Sequence, residues 1–532
     1  MSALRPSTTS PSRRSILHGS NREAGEAESS KLSTDTRGAQ PPVRSDITLG
    51  VIAAREFAAR RDVPDVLGFE DYAGDPAATY DLVRDRLADD ALFLDKQLFP
   101  LPKPTGGARG LTVMNPVDEF ALRAYVGRCS SAVVAATYSD RVLNGLIRRP
   151  GPAWFSADFR EQSRRRRELQ SMLYEDDRTE AVGFFDVKDF FKSCSHHHLV
   201  ELLWKAGAPK GATDRLAEML RVLFPSGTGL PIGFEGSGPL ANLFLDPTDR
   251  ALLDVGVEFV RWTDDLDVFL TGLDQWPAVH DIVLDRLANV GLEPNNSKVT
   301  VLEKGPDAEQ RLLDPGRDSI FEGDALENAV AKLNAELWMR DWGFSEEMPP
   351  AHFRSCLGLL RSRNSADAVS YLMETPSWID REPRSVGDYL AAIASEPSTR
   401  GAIDQDWLIE CAVGRDPSTL TAAGQLHVCR ALAELRVDKV RAKRLLDFAH
   451  DGTVLRQFPA LGGWAVRAWS ASGGWRPGTC MDLVHAVGHL SYGRAAVAGF
   501  AGHVPASDGV RLNALARQRP ELAPAVRFAL AA

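Results

Sequence analysis

Two short segments of this sequence place carboxylates where apolar runs stop. In Phe184-Phe185-Asp186-Val187-Lys188-Asp189-Phe190-Phe191 an apolar run ends at Asp186, as expected at the exposed end of a buried strand. In Arg261-Trp262-Thr263-Asp264-Asp265-Leu266-Asp267-Val268-Phe269 two adjacent acids separate two strand-like runs, the pattern of a hairpin tip. Carboxylates gathered that closely repel one another, and hard divalent cations, which prefer oxygen ligands, relieve the repulsion. Two Mg²⁺ ions held there, with Mn²⁺ as the substitute, can activate a 3′-hydroxyl and stabilise a leaving pyrophosphate. An Asp-Asp pair on its own is most often a solvated turn. The order and spacing of what lies between the two segments argue against that reading here.

The intervening segment is Gly229-Leu230-Pro231-Ile232-Gly233-Phe234-Glu235-Gly236-Ser237-Gly238-Pro239-Leu240-Ala241-Asn242-Leu243-Phe244-Leu245, a Gly/Pro loop running into an apolar helix. Upstream, Leu101-Pro102-Lys103-Pro104-Thr105-Gly106-Gly107-Ala108-Arg109 reads as two strands around a Thr-Gly-Gly turn, with Asn115-Pro116-Val117-Asp118 beyond it. Downstream stands Gly291-Leu292-Glu293-Pro294-Asn295-Asn296-Ser297-Lys298.

In this order the segments resemble the palm motifs A, B, C and D of reverse transcriptases, preceded by that family's fingers hairpin. The resemblance implies an α+β right-hand polymerase, with fingers and an antiparallel palm sheet. Asp186 and Asp264 would be the main metal ligands, helped by the Val187 carbonyl, with Asp265 shaping the same centre. Lys103 and Arg109 would grip the incoming triphosphate, and Gly233 and Ser237 would border the substrate. Phe191, five residues after Asp186, stands where the family carries an aromatic gate against a 2′-hydroxyl. Lys298 would lie near the leaving phosphates as a charge stabiliser or general acid. Two positions depart from the common pattern: Ile232 where many templated enzymes have Gln, and Trp262 in place of Tyr.

These motifs need a mixed α/β frame, and short apolar runs among turn residues supply one from about residue 93 to 304. Residues 1–47, rich in Ser, Thr, Arg, Gly and Pro, have too little apolar surface to offset ordering entropy and read as a disordered arm. Fingers and palm then occupy 48–320. Beyond them, 321–532 is helical almost throughout. Asp324 and Glu327 form a capping box, and Leu326, Val330, Leu333 and Leu337 recur at helical spacing. Later helices carry Leu426, Cys429 and Leu432, then Val440, Leu445 and Phe448 up to Gly452. Paired helices on short loops suggest a HEAT-like repeat domain. A palm with such an extension, lacking ribonuclease H or integrase signatures, resembles the abortive-infection and related defence reverse transcriptases of bacteria. Some of those prime on a protein hydroxyl, which brings Tyr371, Tyr389 and Tyr492 into view.

Composition narrows the rest. The 532 residues imply two or three domains, and 44% hydrophobic with 25% charged residues is typical of soluble globular proteins. Proteins that coat nucleic acid non-specifically are usually basic; a net charge of −10 leaves room for a nucleic-acid enzyme and predicts positive charge concentrated in a groove, with the rest of the surface acidic. No stretch is long and apolar enough to span a membrane, and the N-terminus has no secretory h-region. Six scattered cysteines without a CxxC pair suit the cytoplasm and argue against structural zinc or disulfides. Expected partners are deoxynucleoside triphosphates, DNA, RNA and, through the helical region, further copies of the chain.

Three features read as structural. His196-His197-His198 sit at a helix start as solvated or capping groups. Trp464, Trp469 and Trp475 pack the last helices. Arg164 to Arg167 either touch a nucleic-acid backbone or form a solvated helix face. Two other functions stay open: a template-directed retroelement enzyme, and a non-catalytic scaffold with a vestigial palm.

Overall fold

The computed structural model describes residues 47, 62–64, 66, 72, 75–88, 96–103, 107–137, 140–144, 146–148, 155–157, 159–313, 325–345, 347–418, 421–450, 454, 457–473, 478, 481–483, 497–500, 503–504 and 506–531. The chain divides into Met1–Gly38 and Ala39–Ala532, and all described residues belong to the second unit. Apart from Ile47, the expected N-terminal arm lies outside the described residues, as do Asp324, Gly452, Trp475 and Tyr492.

Helix α1 (Pro76–Ala88) leads into a hairpin of β1 (Lys96–Pro102) and β2 (Ala108–Met114), paired antiparallel with Leu101 opposite Arg109. Helix α2 (Pro116–Ala136) opens on Asn115, whose side chain accepts the Val117 N–H at 3.0 Å, with proline at the first helical position. Then come β3 (Val142–Leu143), a ribbon of β4 (Leu146–Arg148) and β5 (Phe155–Ala157), and α3 (Phe159–Glu175). The palm continues through β6 (Ala181–Phe185), α4 (Phe190–Ser193), α5 (His196–Lys205), α6 (Lys210–Leu223) and α7 (Ser237–Asp254). It closes with β7 (Glu258–Trp262), β8 (Asp265–Leu270), α8 (Trp276–Asn289), β9 (Thr300–Glu303) and α9 (Pro306–Leu313).

Five strands form one sheet in the order β3-β7-β8-β6-β9. Strand alternation sends Phe185, Leu266, Val268 and Leu270 into the larger core, with α7 and α8. Val182, Phe184, Val260 and Phe269 face the other way, onto Leu173 and Tyr174 of α3 and Ala308 and Leu312 of α9. All five residues of β6 are buried, as a central strand covered on both faces must be. The sheet is mixed rather than wholly antiparallel, because β3 runs parallel to β7, Val142 opposite Arg261. A two-residue strand is too short to carry an alternation that would reveal its direction in the sequence.

The remaining described elements are helical: α10 (Ala325–Trp342), α11 (Pro350–Ser362), α12 (Val369–Glu374), α13 (Ser377–Arg381), α14 (Pro383–Ser395), α15 (Gln405–Val413), α16 (Ala422–Leu435), α17 (Lys439–His450), α18 (Pro459–Ala471), α19 (Ala506–Gln518) and α20 (Ala523–Ala531). The longer helices stack in series, α11 on α14, α14 on α16 and α16 on α18, with α15 and α17 packed alongside. In α10 the periodic Leu333 is 55% exposed. The buried side runs instead through Ala335, Trp338 and Met339, with Trp338 stacked on His352 at 3.9 Å. Trp469 is buried against Phe500, and Trp464 donates its indole N–H to the Pro64 carbonyl at 3.0 Å, so both pack as expected. No described helix is long and apolar enough to cross a membrane.

These helices also reach back to the start of the unit. Phe458 meets Phe99 of β1 edge-on at 5.8 Å, and Arg527 lies 3.9 Å from Asp75. His427 Nε2 donates to the Asp62 carbonyl at 2.9 Å. His427 is fully enclosed because α14 passes it at Gly387, where a Cβ would collide with the histidine ring. Among the described residues its Nδ1 has no hydrogen-bond partner, so a second proton would be buried without an acceptor there. Burial holds the imidazole down to about 4, outweighing the attraction of Asp388, while Arg384 and Arg430 oppose protonation. A folded-state value below the unfolded one means that stability is complete above about pH 6.5 and is lost as pH falls towards 4, by up to about 3 kcal/mol. Urea unfolding at pH 7 and pH 4.5 should therefore show a smaller pH-linked loss in His427→Gln than in the native chain.

Candidate active site

Strand register brings Asp186 together with Asp264 and Asp265. Phe185 of β6 pairs with Leu266 of β8, so Asp186 and Asp265 leave adjacent strands at the same end of the sheet. Thr263 and Asp264 form the two-residue connection between β7 and β8. Thr263 takes a left-handed φ of 55°, as does Asp189 at 45° in the segment following β6. Neither is glycine, and the costly conformation of a β-branched residue at this turn marks a point the surrounding structure holds in place.

What holds it is Arg261, itself buried. Its Nη1 donates to the Thr263 carbonyl at 2.6 Å and to Asn242 Oδ1 at 2.9 Å. Its Nε and Nη2 clasp Asp249 at 2.8 and 2.6 Å. Asn242 and Asp249 belong to α7, so the β7–β8 turn is tied to that helix. Burial pushes the Asp249 carboxyl up, opposed by the guanidinium beside it.

Asp186 was expected at an exposed strand end, yet it is 8% exposed. The segment from Pro294 to Lys298 covers it. Asn295 N–H donates to the Asp186 carbonyl at 2.7 Å, and Val187 bridges Pro294. On the side chain, Asn295 Nδ2 donates to Oδ2 at 2.7 Å and Lys298 Nζ to Oδ1 at 2.8 Å. Asp264 is pushed up to about 6, first by burial and then by the like charges of Asp265 and Asp186, with Lys298 opposing. Among the described residues no three His, Cys, Asp or Glu side chains already close into a metal cage. The clustered oxygen donors and the strain on ionising Asp264 nonetheless fit a hard divalent cation.

The Gly/Pro loop before α7 meets the β1–β2 hairpin. Thr112 N–H of β2 donates to the Ile232 carbonyl at 2.7 Å. Gly233 has a φ of 94°, and a Cβ there would press on Leu111 at 3.4 Å. Ser237 is buried and donates its hydroxyl to the Pro231 carbonyl at 2.7 Å, closing the loop on itself. Phe191, half-buried on α4, accepts the Leu230 N–H at 2.7 Å through its carbonyl, which ties α4 to the Gly/Pro loop before α7. Lys103 and Arg109 are exposed at the hairpin's turn end, where Lys103 N–H bonds the Gly107 carbonyl at 3.0 Å; residues 104–106 lie outside the described residues.

The features read as structural resolve individually. His196 is a core residue rather than a solvated cap: its Nε2 lies 2.9 Å from the Gly229 carbonyl, and burial lowers its pKa. His197 lies beside Glu201, and His198 Nε2 is 3.1 Å from the Asn289 carbonyl, so the three rings diverge. Arg164 pairs with Glu161 and Glu168 on its own helix, whereas Arg166 reaches Asp267 at 3.4 Å and lies over the Trp262 ring. Tyr371 accepts the Trp378 indole N–H at 2.8 Å. Tyr389 is buried, donates to the Ser365 carbonyl at 2.9 Å, and has its hydroxyl pKa pushed up by burial.

Sequence reasoning assigned no role to Asn295 or Arg261. Asn295 sits three residues before Lys298 in a motif already quoted, and that spacing was the available signal. Arg261 offered none, since a basic residue inside a strand gives no hint of its partners.

Residues 133–327 match the family model described as reverse transcriptase (RNA-dependent DNA polymerase). The fingers hairpin lies upstream of the matched span. No curated protein matches the sequence. Among solved structures, telomerase from Candida albicans, in complex with a TWJ fragment of telomeric RNA, is 11% identical over 62% of this chain and 68% of that one, with a TM-score of 0.29. Telomerase from Candida tropicalis, in the corresponding complex, is 13% identical over 69% of this chain and 65% of that one, with a TM-score of 0.31. The chain carries a reverse transcriptase domain and is a nucleotidyltransferase.

Proposed function

We propose that this reverse transcriptase domain extends DNA by adding deoxynucleotides at the Asp186–Asp264–Asp265 centre, in bacterial antiphage defence. The observation that carries the chemistry is the convergence of Asp186 with the Asp264–Asp265 turn at one end of β6 and β8. Asp186 and Asp264, with the Val187 carbonyl, would hold two divalent ions, Mg²⁺ in the first instance, and Asp265 would shape the site. Once bound, these ions supply activation of the 3′-hydroxyl and charge neutralisation on the leaving pyrophosphate. The chain's own groups do the rest. Lys103 and Arg109 hold the triphosphate, Gly233 and Ser237 shape the loop beside it, and Lys298 meets charge on the leaving phosphates.

Phe191 would exclude a 2′-hydroxyl by sterics. Replacing it with Val should reduce the preference for deoxynucleotides over ribonucleotides, measured as the ratio of kcat/KM values, by roughly 10–100-fold.

The defence role rests on the helical C-terminal region, whose serially stacked helices support a HEAT-like reading. Purified protein with Mg²⁺ and labelled deoxynucleotides, without added nucleic acid, tests the chemistry. Label that stays on the denatured protein means untemplated, protein-primed synthesis. The hydrogen bonds of Tyr389 direct that search to other hydroxyls. Extension only on a primed RNA means a templated enzyme, and no product under either condition would favour the scaffold.

A further inference from the structure

Both carboxylate oxygens of Asp186 are engaged by one short segment, but the two donors are held very differently. Asn295 is built in. Its Oδ1 accepts the Ser297 hydroxyl at 2.8 Å, which orients the amide so that Nδ2 points at Asp186 Oδ2, and its backbone N–H holds the Asp186 carbonyl. Lys298 is anchored only along its backbone. Its N–H donates to the Asn295 carbonyl at 2.8 Å, and its own carbonyl accepts Arg311 Nη2 at 2.9 Å. The side chain beyond is 55% exposed, a flexible stem carrying a compact cation to Asp186 Oδ1.

We propose that Lys298 is a placeholder cation: in the metal-free protein its ammonium neutralises Asp186, and an arriving divalent ion displaces it from Oδ1 while Asn295 keeps Oδ2 in place. This rests on the reading of Asp186 as a metal ligand. Without a counter-charge, Asp186 would add its full repulsion to Asp264 and Asp265 before any ion arrived. An ammonium on a mobile stem neutralises the site, yet a doubly charged ion with stronger oxygen affinity can replace it. The exchange has a second result. It releases the ammonium beside the seated ion, so the lysine becomes available to a bound phosphate only after the metal has entered.

The test is Mn²⁺ binding to the full chain without nucleotide, followed by loss of the free-ion paramagnetic resonance signal. Lys298→Gln should bind Mn²⁺ about five- to tenfold more tightly than the native chain, since no ammonium need be displaced. Lys298→Arg, which keeps a cation at the position, should not tighten binding. Lys188→Gln is the control for overall charge. Lys188 is two residues from Asp186 but pairs with Glu293 at 3.4 Å, and its removal should change affinity less than twofold. Equal affinity in Lys298→Gln and the native chain overturns the placeholder, as does equal tightening in the Lys188 and Lys298 variants. Absence of Mn²⁺ binding in every variant overturns the metal reading of Asp186 as well, so the two failures are distinguishable. Tight binding by Lys298→Gln that survives Asp186→Asn also overturns the proposal, because the ion would then sit elsewhere.

Discussion

Asp264→Asn should abolish nucleotide incorporation and at the same time stabilise the metal-free protein. Loss of activity follows from the proposed role: a neutral amide is a poor ligand for a hard divalent ion, and transition-state charge goes unmet. A loss of several kcal/mol of transition-state stabilisation, at about 1.4 kcal/mol per tenfold, puts the rate at least ~10³-fold down. The gain in stability comes from the other side of the same arrangement. Burial and the neighbouring Asp186 and Asp265 make the Asp264 carboxylate costly to ionise, pushing it up to about 6. Asparagine removes that cost at pH 7, worth about 1–2 kcal/mol after allowance for partial exposure. Thermal unfolding in chelator should show a raised midpoint, while incorporation in Mg²⁺ disappears. A variant that lost both together would mean that Asp264 serves the fold instead.

Arg261→Met should be the most damaging single change to the palm. It leaves Asp249 buried with its carboxylate unpaired, a situation that costs roughly 3–5 kcal/mol. It also removes the hydrogen bond on the Thr263 carbonyl, the tie that restrains the left-handed turn carrying Asp264. The two effects separate in the double variant Arg261→Met with Asp249→Leu. Replacing both members of a buried pair by apolar groups is often nearly neutral, so the unfolding midpoint should recover most of its loss. Incorporation should stay at least about tenfold down, because the turn has then lost its side-chain tie to α7 and keeps only the Thr263 N–H bond to the Leu143 carbonyl and the β7–β8 pairing. Recovery of activity along with stability would show that Arg261 acts on the fold alone.

These two cases mark what could be read in the sequence and what could not. The acids, the loop between them and the fingers hairpin were legible because each is a local pattern: an apolar run with a carboxylate at its end, or glycines where a chain turns. The hairpin pairing of β1 with β2 and the placement of Asp264 in a two-residue turn follow directly from such patterns. Groups that hold the site were hidden because their partners are remote. Asn295 meets Asp186 across 109 residues, and His196 meets Gly229 across 33. Burial was misjudged for the same reason. Asp186 looks exposed in its own segment and becomes covered only when the segment from Pro294 to Lys298 folds over it. In α10, periodicity identified the helix but not its buried side, since Leu333 carries the right spacing and is nonetheless exposed.

The packing of the last helices on the first described residues has a consequence for synthesis. His427 holds Asp62 across 365 residues, and Trp464 holds Pro64 across 400. At about 5–20 residues per second, a ribosome would need roughly 20–80 s to make the chain between Pro64 and Trp464. Throughout that interval the Phe99 side of the hairpin lacks the ring that later covers it, and the palm can pair its strands without its outer support. The nascent polymerase therefore passes through a stage in which its catalytic strands are assembled while its fingers remain uncovered, a window in which a chaperone or a second nascent copy meets bare apolar surface.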